Sequence, residues 1–188
     1  MQNLIPKPPK NSTDDLIQLT SQTIAIMDCA TDEDREFALA ADLFELHTFL
    51  DYLKKSANIQ LSESQISDLQ TEMLSFLSEI LKWKLQYAVP RPYVVAYKYS
   101  LPMDHIHTYS VSGNGPSYPS GHAAISRFLA NKLSATQSLS DTQRALVYDL
   151  ANQIAISRVH LGVHTLQDIR EGIRLADQWV SPPTSEIN

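Results

Sequence analysis

Helix-capping signals recur along this 188-residue chain, and each stands before apolar residues at helical spacing. A serine or threonine followed three residues later by an acidic residue or glutamine can satisfy the free N–H groups of a helix's first turn. The pairs and the helices expected after them are Ser12/Asp15 to about Cys29, Thr31/Asp34 to about Lys55, Ser62/Gln65 to about Val89, and Ser140/Gln143 through Ile154. Since no alternating strand pattern of useful length occurs, we expect an all-α bundle.

Prolines and glycines mark the other boundaries. The run Pro119-Ser120-Gly121-His122 precedes an apolar stretch to Leu133, which predicts a helix that begins at this run. A last helix is expected from about His164 to Val180, ending before Pro182-Pro183. Residues 93–118 carry several tyrosines, glycines and prolines, so we expect a long irregular connection that overhangs a site.

Length and composition indicate one globular domain. Residues 1–11 are rich in proline and lysine and predict a flexible N-terminal arm, which leaves residues 12–188 as a single helical domain. With 43% hydrophobic residues, a chain of this length can bury a real core. Cys29 is the only cysteine, so an internal disulfide is excluded and a reducing compartment fits.

Net charge and hydropathy limit the classes of partner that we expect this chain to bind. The net charge of −6 argues against nucleic acid. No stretch reaches the roughly 20 apolar residues that span a bilayer, so no transmembrane segment is expected. Residues 1–10 lack the apolar region of a secretory signal, and we therefore expect a soluble, cytoplasmic protein. The oligomeric state stays open, with a homo-oligomer as one option.

Three short motifs, in one order, carry the functional information. They supply three cations, two well-placed histidines and a carboxylate, which can hold a tetrahedral oxyanion, attack it and protonate its leaving group. Any one motif alone would be a weak signal, but a basic island in an acidic chain strengthens the set. The motifs are Lys84-x6-Arg91-Pro92, Pro119-Ser120-Gly121-His122, and Ser157-Arg158-x5-His164-x3-Asp168.

The first two motifs each have a chemical and a plainer interpretation. Lys84 and Arg91 suit phosphate oxygens, yet the lysine could also be a surface cation on an amphipathic helix. Ser120 could donate to an anion at a helix start, where Gly121 allows close approach, or it could only cap the helix. His122 is placed to protonate a leaving group.

The third motif puts His164 and Asp168 four residues apart, on one face of a helix. The carboxylate could hold one imidazole nitrogen and leave the other free to attack, or the two could form an ordinary intrahelical pair. Arg158 would point elsewhere on a straight helix, so a shared ligand requires the helix to break near Gly162.

Together these motifs resemble those of the type-2 phosphatidic acid phosphatase and vanadium haloperoxidase superfamily, whose soluble members include bacterial class A non-specific acid phosphatases. The resemblance covers residues 84–168 and implies a helical bundle that works without a metal cation. The roles it implies are phosphate binding by Lys84, Arg91, Ser120, Gly121 and Arg158, nucleophilic attack by His164 with formation of a phosphohistidine, orientation by Asp168, and protonation of the leaving alcohol by His122.

The expected function is metal-independent hydrolysis of a small phosphomonoester, with a lipid phosphate as one option. One alternative is a haloperoxidase that holds vanadate, the only cofactor weighed, in the same site. Similar haloperoxidases place an aromatic or histidine side chain a few residues before the second motif, where this chain has Gly115. The run from Ser117 and Tyr118 into the second motif instead resembles the sequence of the soluble acid phosphatases. A non-catalytic phosphate-binding module also stays open. A metal-dependent hydrolase could be built on His105, His107, His160 and His164, but the carboxylate ligands that it needs have no clear spacing.

Overall fold

The computed structural model describes residues 5–180, and within that range the fold is all-α, as predicted. Eight α-helices and one short 3-10 helix, His105–Tyr109, occur in this part of the chain. The α-helices are α1 (Thr13–Cys29), α2 (Asp32–Ala40), α3 (Leu46–Ala57), α4 (Glu63–Tyr87), α5 (Pro92–Tyr99), α6 (Gly121–Thr136), α7 (Asp141–His160) and α8 (Leu166–Val180).

The capping residues predicted from the sequence begin five of these helices. Ser12, Thr31, Ser62, Ser120 and Ser140 each accept a hydrogen bond from a backbone N–H in the first turn that follows. In α2, α4 and α7 the third helical residue returns a bond to the cap and completes a capping box. The predicted starts of these helices are therefore confirmed.

One predicted helix is wrong, because the segment from Thr31 to about Lys55 forms two helices. The chain leaves α2 after Ala40 and starts α3 at Leu46. The turn between them buries Asp42, whose carboxylate accepts hydrogen bonds from Arg158 and from a distant loop. These tertiary contacts outweigh the helical spacing of the neighbouring apolar residues.

The connection expected over residues 93–118 is only partly irregular. Its first seven residues belong to α5, in which Pro92 takes the first helical position, where a missing N–H costs nothing. The chain then leaves the helix through Ser100 in the left-handed region, with φ of 55°. The irregular part is thus shorter than predicted and contains the 3-10 helix.

The N-terminal residues from 5 to 11 are non-helical and run along α8. Arg174 donates to the Ile5 carbonyl, Glu171 accepts from the Lys7 N–H, and Tyr118 donates to the Lys7 carbonyl. Arg174 and Glu171 thus connect the start of the described chain to α8, and Tyr118 connects it to the segment before α6. Residues 1–4 and the predicted end at Pro182-Pro183 lie outside the described residues.

Helix α6 lies at the centre of the bundle and packs against α4, α7 and α8. Gly172 allows α8 to cross the start of α6 closely, because a Cβ there would stand 2.6 Å from the Ser120 carbonyl oxygen. This contact brings the second and third motifs side by side. Between residues 5 and 180, no helix combines the length and apolar character needed to cross a membrane.

Candidate active site

Residues from all three motifs surround one cavity of about 430 Å³. Its lining includes Lys84 and Arg91 from the first motif, Gly121 and His122 from the second, and His164 from the third. The other motif residues that were predicted, Ser120, Arg158 and Asp168, are buried and connect to this lining through hydrogen bonds.

The chain turns sharply between Arg158 and His164, as the shared-site prediction required. Helix α7 ends at His160, and Gly162 follows with φ of +67°, a conformation that other residues rarely adopt. The Arg158 carbonyl then accepts from the N–H of His164 at 3.2 Å. Both side chains can therefore face the same region of the molecule.

Hydrogen bonding assigns the neutral tautomer of His164. The guanidinium of Arg91 can only donate, and its Nη1 lies 2.8 Å from Nε2, so Nε2 is the unprotonated acceptor. The proton then lies on Nδ1, which is 3.3 Å from Asp168 Oδ2. Complete burial holds the pKa of His164 well below its usual value, and the cations of Arg91, Lys84 and Arg158 lower it further. His164 is thus a neutral imidazole with its lone pair on Nε2.

Arg91 is held by backbone carbonyls on three sides. Its Nε donates to Gly115 at 3.0 Å, its Nη1 to Val163 at 2.8 Å, and its Nη2 to Asn114 at 3.2 Å. Burial lowers the pKa of Arg91 to about 10, so the group remains a cation at neutral pH. The loop before the second motif thereby fixes this cation beside His164.

Lys84 contacts the same loop. Its Nζ donates to the carbonyls of Pro116 and Ser117 at 3.0 and 2.9 Å. Burial is the main reason that the pKa of Lys84 falls to about 7, and the nearby Arg91 cation adds to the shift. An anion in the cavity would oppose both effects and favour the charged lysine.

Arg158 is a fully buried cation, and its guanidinium has N–H donors that no described residue accepts. Its Nη2 donates to Asp42 Oδ1 at 2.7 Å and to Ser112 Oγ at 2.9 Å. Its Nε and Nη1 are buried without a hydrogen-bond partner among residues 5–180. Unpaired buried N–H groups are costly, so these two nitrogens fit a ligand that brings oxygen atoms.

Asp42 is the carboxylate that the sequence analysis missed. It is 3% exposed and also accepts from Ser110 Oγ at 2.7 Å and from the Val111 N–H at 2.5 Å. Burial alone would raise the pKa of Asp42, but hydrogen bonds from Ser110, Arg158 and Ser112 hold it below the usual range. The only signal in the sequence was a charge within the apolar run from Leu39 to Phe44.

His122 is anchored by the backbone of the same turn. Its Nε2 lies 3.0 Å from the Asp42 carbonyl oxygen, which can only accept, so Nε2 carries a proton. Burial and then the Arg158 cation lower the pKa of His122 to about 3. In the absence of an anion, His122 is therefore neutral at physiological pH.

Ser120 and Asp168 join the second and third motifs. The N–H of Ser120 donates to the Asp168 carbonyl at 3.0 Å, while its Oγ caps α6. Asp168 Oδ2 accepts from the Thr165 N–H at 2.7 Å and from Ser117 Oγ at 2.6 Å. Burial raises the pKa of Asp168, and the two donors oppose that shift. Ser120 has the cap role that the sequence left open.

The alternative metal site has no support in the described part of the chain. No group of three histidine, cysteine, aspartate or glutamate side chains is arranged there to hold a metal ion. His107 instead stacks on Tyr93 with ring centroids 4.6 Å apart, and His105 is exposed beside it. Neither lines the cavity that holds His164.

An all-helical fold around a cavity with buried cations and two histidines can hold an oxyanion. Residues 71–176, more than half of the chain, match the family model described as the PAP2 superfamily. The chain belongs to this superfamily, as its motifs predicted. Membership implies phosphatase-type hydrolysis of phosphoesters. A comparison with curated proteins gave no match.

Proposed function

We propose that this protein is a metal-independent phosphomonoester hydrolase of the acid phosphatase type that forms a phosphohistidine at His164. The observation that carries the proposal is the contact between His164 Nε2 and Arg91 Nη1. It presents the unprotonated nitrogen of a neutral imidazole beside a cation that can bind phosphate. The family match supports the same class of reaction.

Phosphate oxygens would be bound by the cations of the three motifs. Arg158 does not itself line the cavity, but its buried Nε and Nη1 are unpaired and would bind the phosphate, and Lys84 in the lining adds a charge. As the ester enters, the Nη1–H of Arg91 transfers its hydrogen bond from Nε2 to a phosphoryl oxygen, which frees the lone pair for attack. The three carbonyl contacts keep the guanidinium in place during this exchange.

The proposed reaction then proceeds by two successive displacements at phosphorus. Nε2 of His164 forms the N–P bond while the P–O bond to the alcohol breaks, and His122 gives the leaving oxygen its proton. Since Nε2–H of His122 is bound to the Asp42 carbonyl, the transferred proton comes from Nδ1 of the imidazolium. His122 then takes a proton from water, which attacks phosphorus and breaks the N–P bond.

The cavity supports a substrate with an apolar part. Beside the polar groups, its lining includes the side chains of Phe44, Leu46, Met73, Leu77, Leu81 and Ile125. Apolar walls with a few polar groups suit a ligand whose carbon part leaves water on binding. We therefore propose phosphomonoesters of apolar alcohols, lipid phosphates included, as the preferred substrates.

The test combines turnover with trapping of the intermediate. The purified protein should hydrolyse p-nitrophenyl phosphate in excess EDTA, and vanadate should inhibit it. Rapid quenching into alkali, in which phosphohistidine survives, should trap labelled phosphate on the wild type and on His105→Ala, an exposed histidine outside the cavity. His164→Ala should trap none.

Several results would overturn this proposal. One is activity that EDTA abolishes and magnesium or zinc restores. Another is a His164→Ala protein that still traps labelled phosphate, which would place the nucleophile elsewhere. Halide oxidation by peroxide after vanadate loading, without phosphatase activity, would favour the haloperoxidase. Phosphate binding without turnover of any ester would indicate a binding module.

A further inference from the structure

A buried hydroxyl that none of the proposed roles uses lies between His164 and Asp168. Ser117 lies two residues before the second motif and is fully buried. Its Oγ lies 2.6 Å from Asp168 Oδ2 and 3.3 Å from His164 Nδ1. The hydroxyl therefore touches both members of the pair that the third motif supplies.

The directions of these hydrogen bonds follow from the tautomer of His164. Because Nε2 accepts from Arg91, the ring proton is on Nδ1 and can only be donated. Ser117 Oγ thus accepts from Nδ1, and its own proton points to Asp168 Oδ2, the nearest acceptor. The result is a directed chain from the imidazole through the hydroxyl to the carboxylate.

Nδ1 of His164 lies equally far from two possible acceptors, Asp168 Oδ2 and Ser117 Oγ. Both contacts measure 3.3 Å, which is long for a hydrogen bond, so distance alone favours neither acceptor. Asp168 Oδ2 already accepts from the Thr165 N–H at 2.7 Å and from Ser117. The Oγ–Oδ2 bond is the shortest of these contacts, so the hydroxyl couples the imidazole to the carboxylate alongside the direct contact.

We propose that Ser117 is a positioning residue for the nucleophile, linking Nδ1 of His164 to the carboxylate of Asp168. The proposal rests on the proposed function, in which Nε2 attacks phosphorus. When the N–P bond forms and the P–O bond breaks, the imidazole becomes a cation that keeps its Nδ1 proton. The chain through Ser117 spreads this positive charge toward the carboxylate and fixes the plane of the ring.

The kinetic test uses Ser117→Ala with a matched buried serine as control. Ser126 is also fully buried, but its Oγ bonds only to backbone carbonyls of Ala123 and Ala151. We expect Ser117→Ala to lower kcat for p-nitrophenyl phosphate by about 10- to 100-fold, as loss of a partner that orients a histidine does elsewhere. The inhibition constant for inorganic phosphate should stay within about twofold, because Ser117 Oγ contacts no proposed phosphate ligand other than through His164. Ser126→Ala should keep the wild-type kcat.

A double-mutant cycle separates this role from general packing. If Ser117 acts through Asp168, its removal from an Asp168→Asn background should cost less than about threefold. An equal loss in both backgrounds, or a loss below about fivefold in the wild type, overturns the proposal. If Ser117→Ala does not fold, Ser117→Cys replaces it in the test, because cysteine is of similar size but its thiol is a weak donor. The same loss of kcat is expected for this variant.

A second readout keeps this inference distinct from the proposed function. In protein labelled with ¹⁵N-histidine, Ser117→Ala should shift the Nδ1–H resonance of His164, and Ser126→Ala should leave it in place. If the wild type turns over no phosphoester while this shift is seen, the proposed function fails and the hydrogen-bonded chain stands. An unshifted resonance in an active enzyme refutes the role of Ser117 alone.

Discussion

Replacing Asp42 by asparagine should destabilise the fold and weaken the phosphate site together. The carboxylate compensates the fully buried Arg158 and accepts from Ser110 and Val111 as well. Asparagine removes the charge and turns an amide N–H₂ toward some of these donors. Breaking a buried ion pair by removing one partner costs about 3–5 kcal/mol, and we expect a loss of unfolding free energy in this range. Arg158 would also lose the anionic partner that fixes its guanidinium, so inhibition by inorganic phosphate should weaken.

Urea unfolding at pH 7 measures the first effect, and Asp51→Asn, an exposed aspartate on α3, is the control. The sign of the pH dependence follows from the lowered pKa of Asp42. Its stabilising contribution is present above the unfolded value of about 3.9 and is lost as pH falls toward the folded one. The difference between wild type and Asp42→Asn should therefore shrink in acid. A variant within about 0.5 kcal/mol of wild type at pH 7 would refute the reasoning.

Three further predictions concern the cavity and the helix crossing beside it. Competitive inhibition by sulfate, which does not titrate near neutrality, should weaken as pH rises through about 7, because Lys84 of the free enzyme loses its proton there. In Lys84→Met, inhibition by sulfate should not depend on pH in this range. Gly172→Ala should destabilise the protein by about 1–3 kcal/mol in urea unfolding, because its Cβ meets the Ser120 carbonyl; unchanged stability would contradict this close crossing. Leu81→Gln should raise KM for decyl phosphate but not for glycerol 2-phosphate, whereas Leu85→Gln, 75% exposed and outside the cavity lining, should change neither.

Local signals in the sequence predicted the helix starts and the main members of the site. A capping serine acts on N–H groups two or three residues away, so it can be identified without the fold. The spacing of His164 and Asp168, and the glycine that lets the chain turn after Arg158, are equally local. The structure places these features as expected, except that His164 lies before α8, which begins at Leu166, and not on a helical face shared with Asp168.

Contacts distant in sequence could not be predicted in this way. Asp42 and Arg158 are 116 residues apart, and nothing near either residue identifies the other. The same holds for Ser117, whose contact with Asp168 depends on a helix that begins about fifty residues later. The break between α2 and α3 follows from the first of these contacts, which is why helical spacing alone predicted one helix.

The pKa of His122 leads to the last prediction, on the pH dependence of turnover. The free site holds this pKa at about 3, so the acid form is scarce at neutral pH. Raising it to about 7 requires about 5 kcal/mol, since one unit corresponds to about 1.4 kcal/mol. A phosphate dianion about 4 Å away supplies about 8 kcal/mol at an effective dielectric constant of 20. In the proposed mechanism, the bound substrate itself thus creates the general acid. Because kcat reports groups in the complex, we expect it to stay high up to about pH 6. A kcat that already falls with an apparent pKa near 3 would refute this argument.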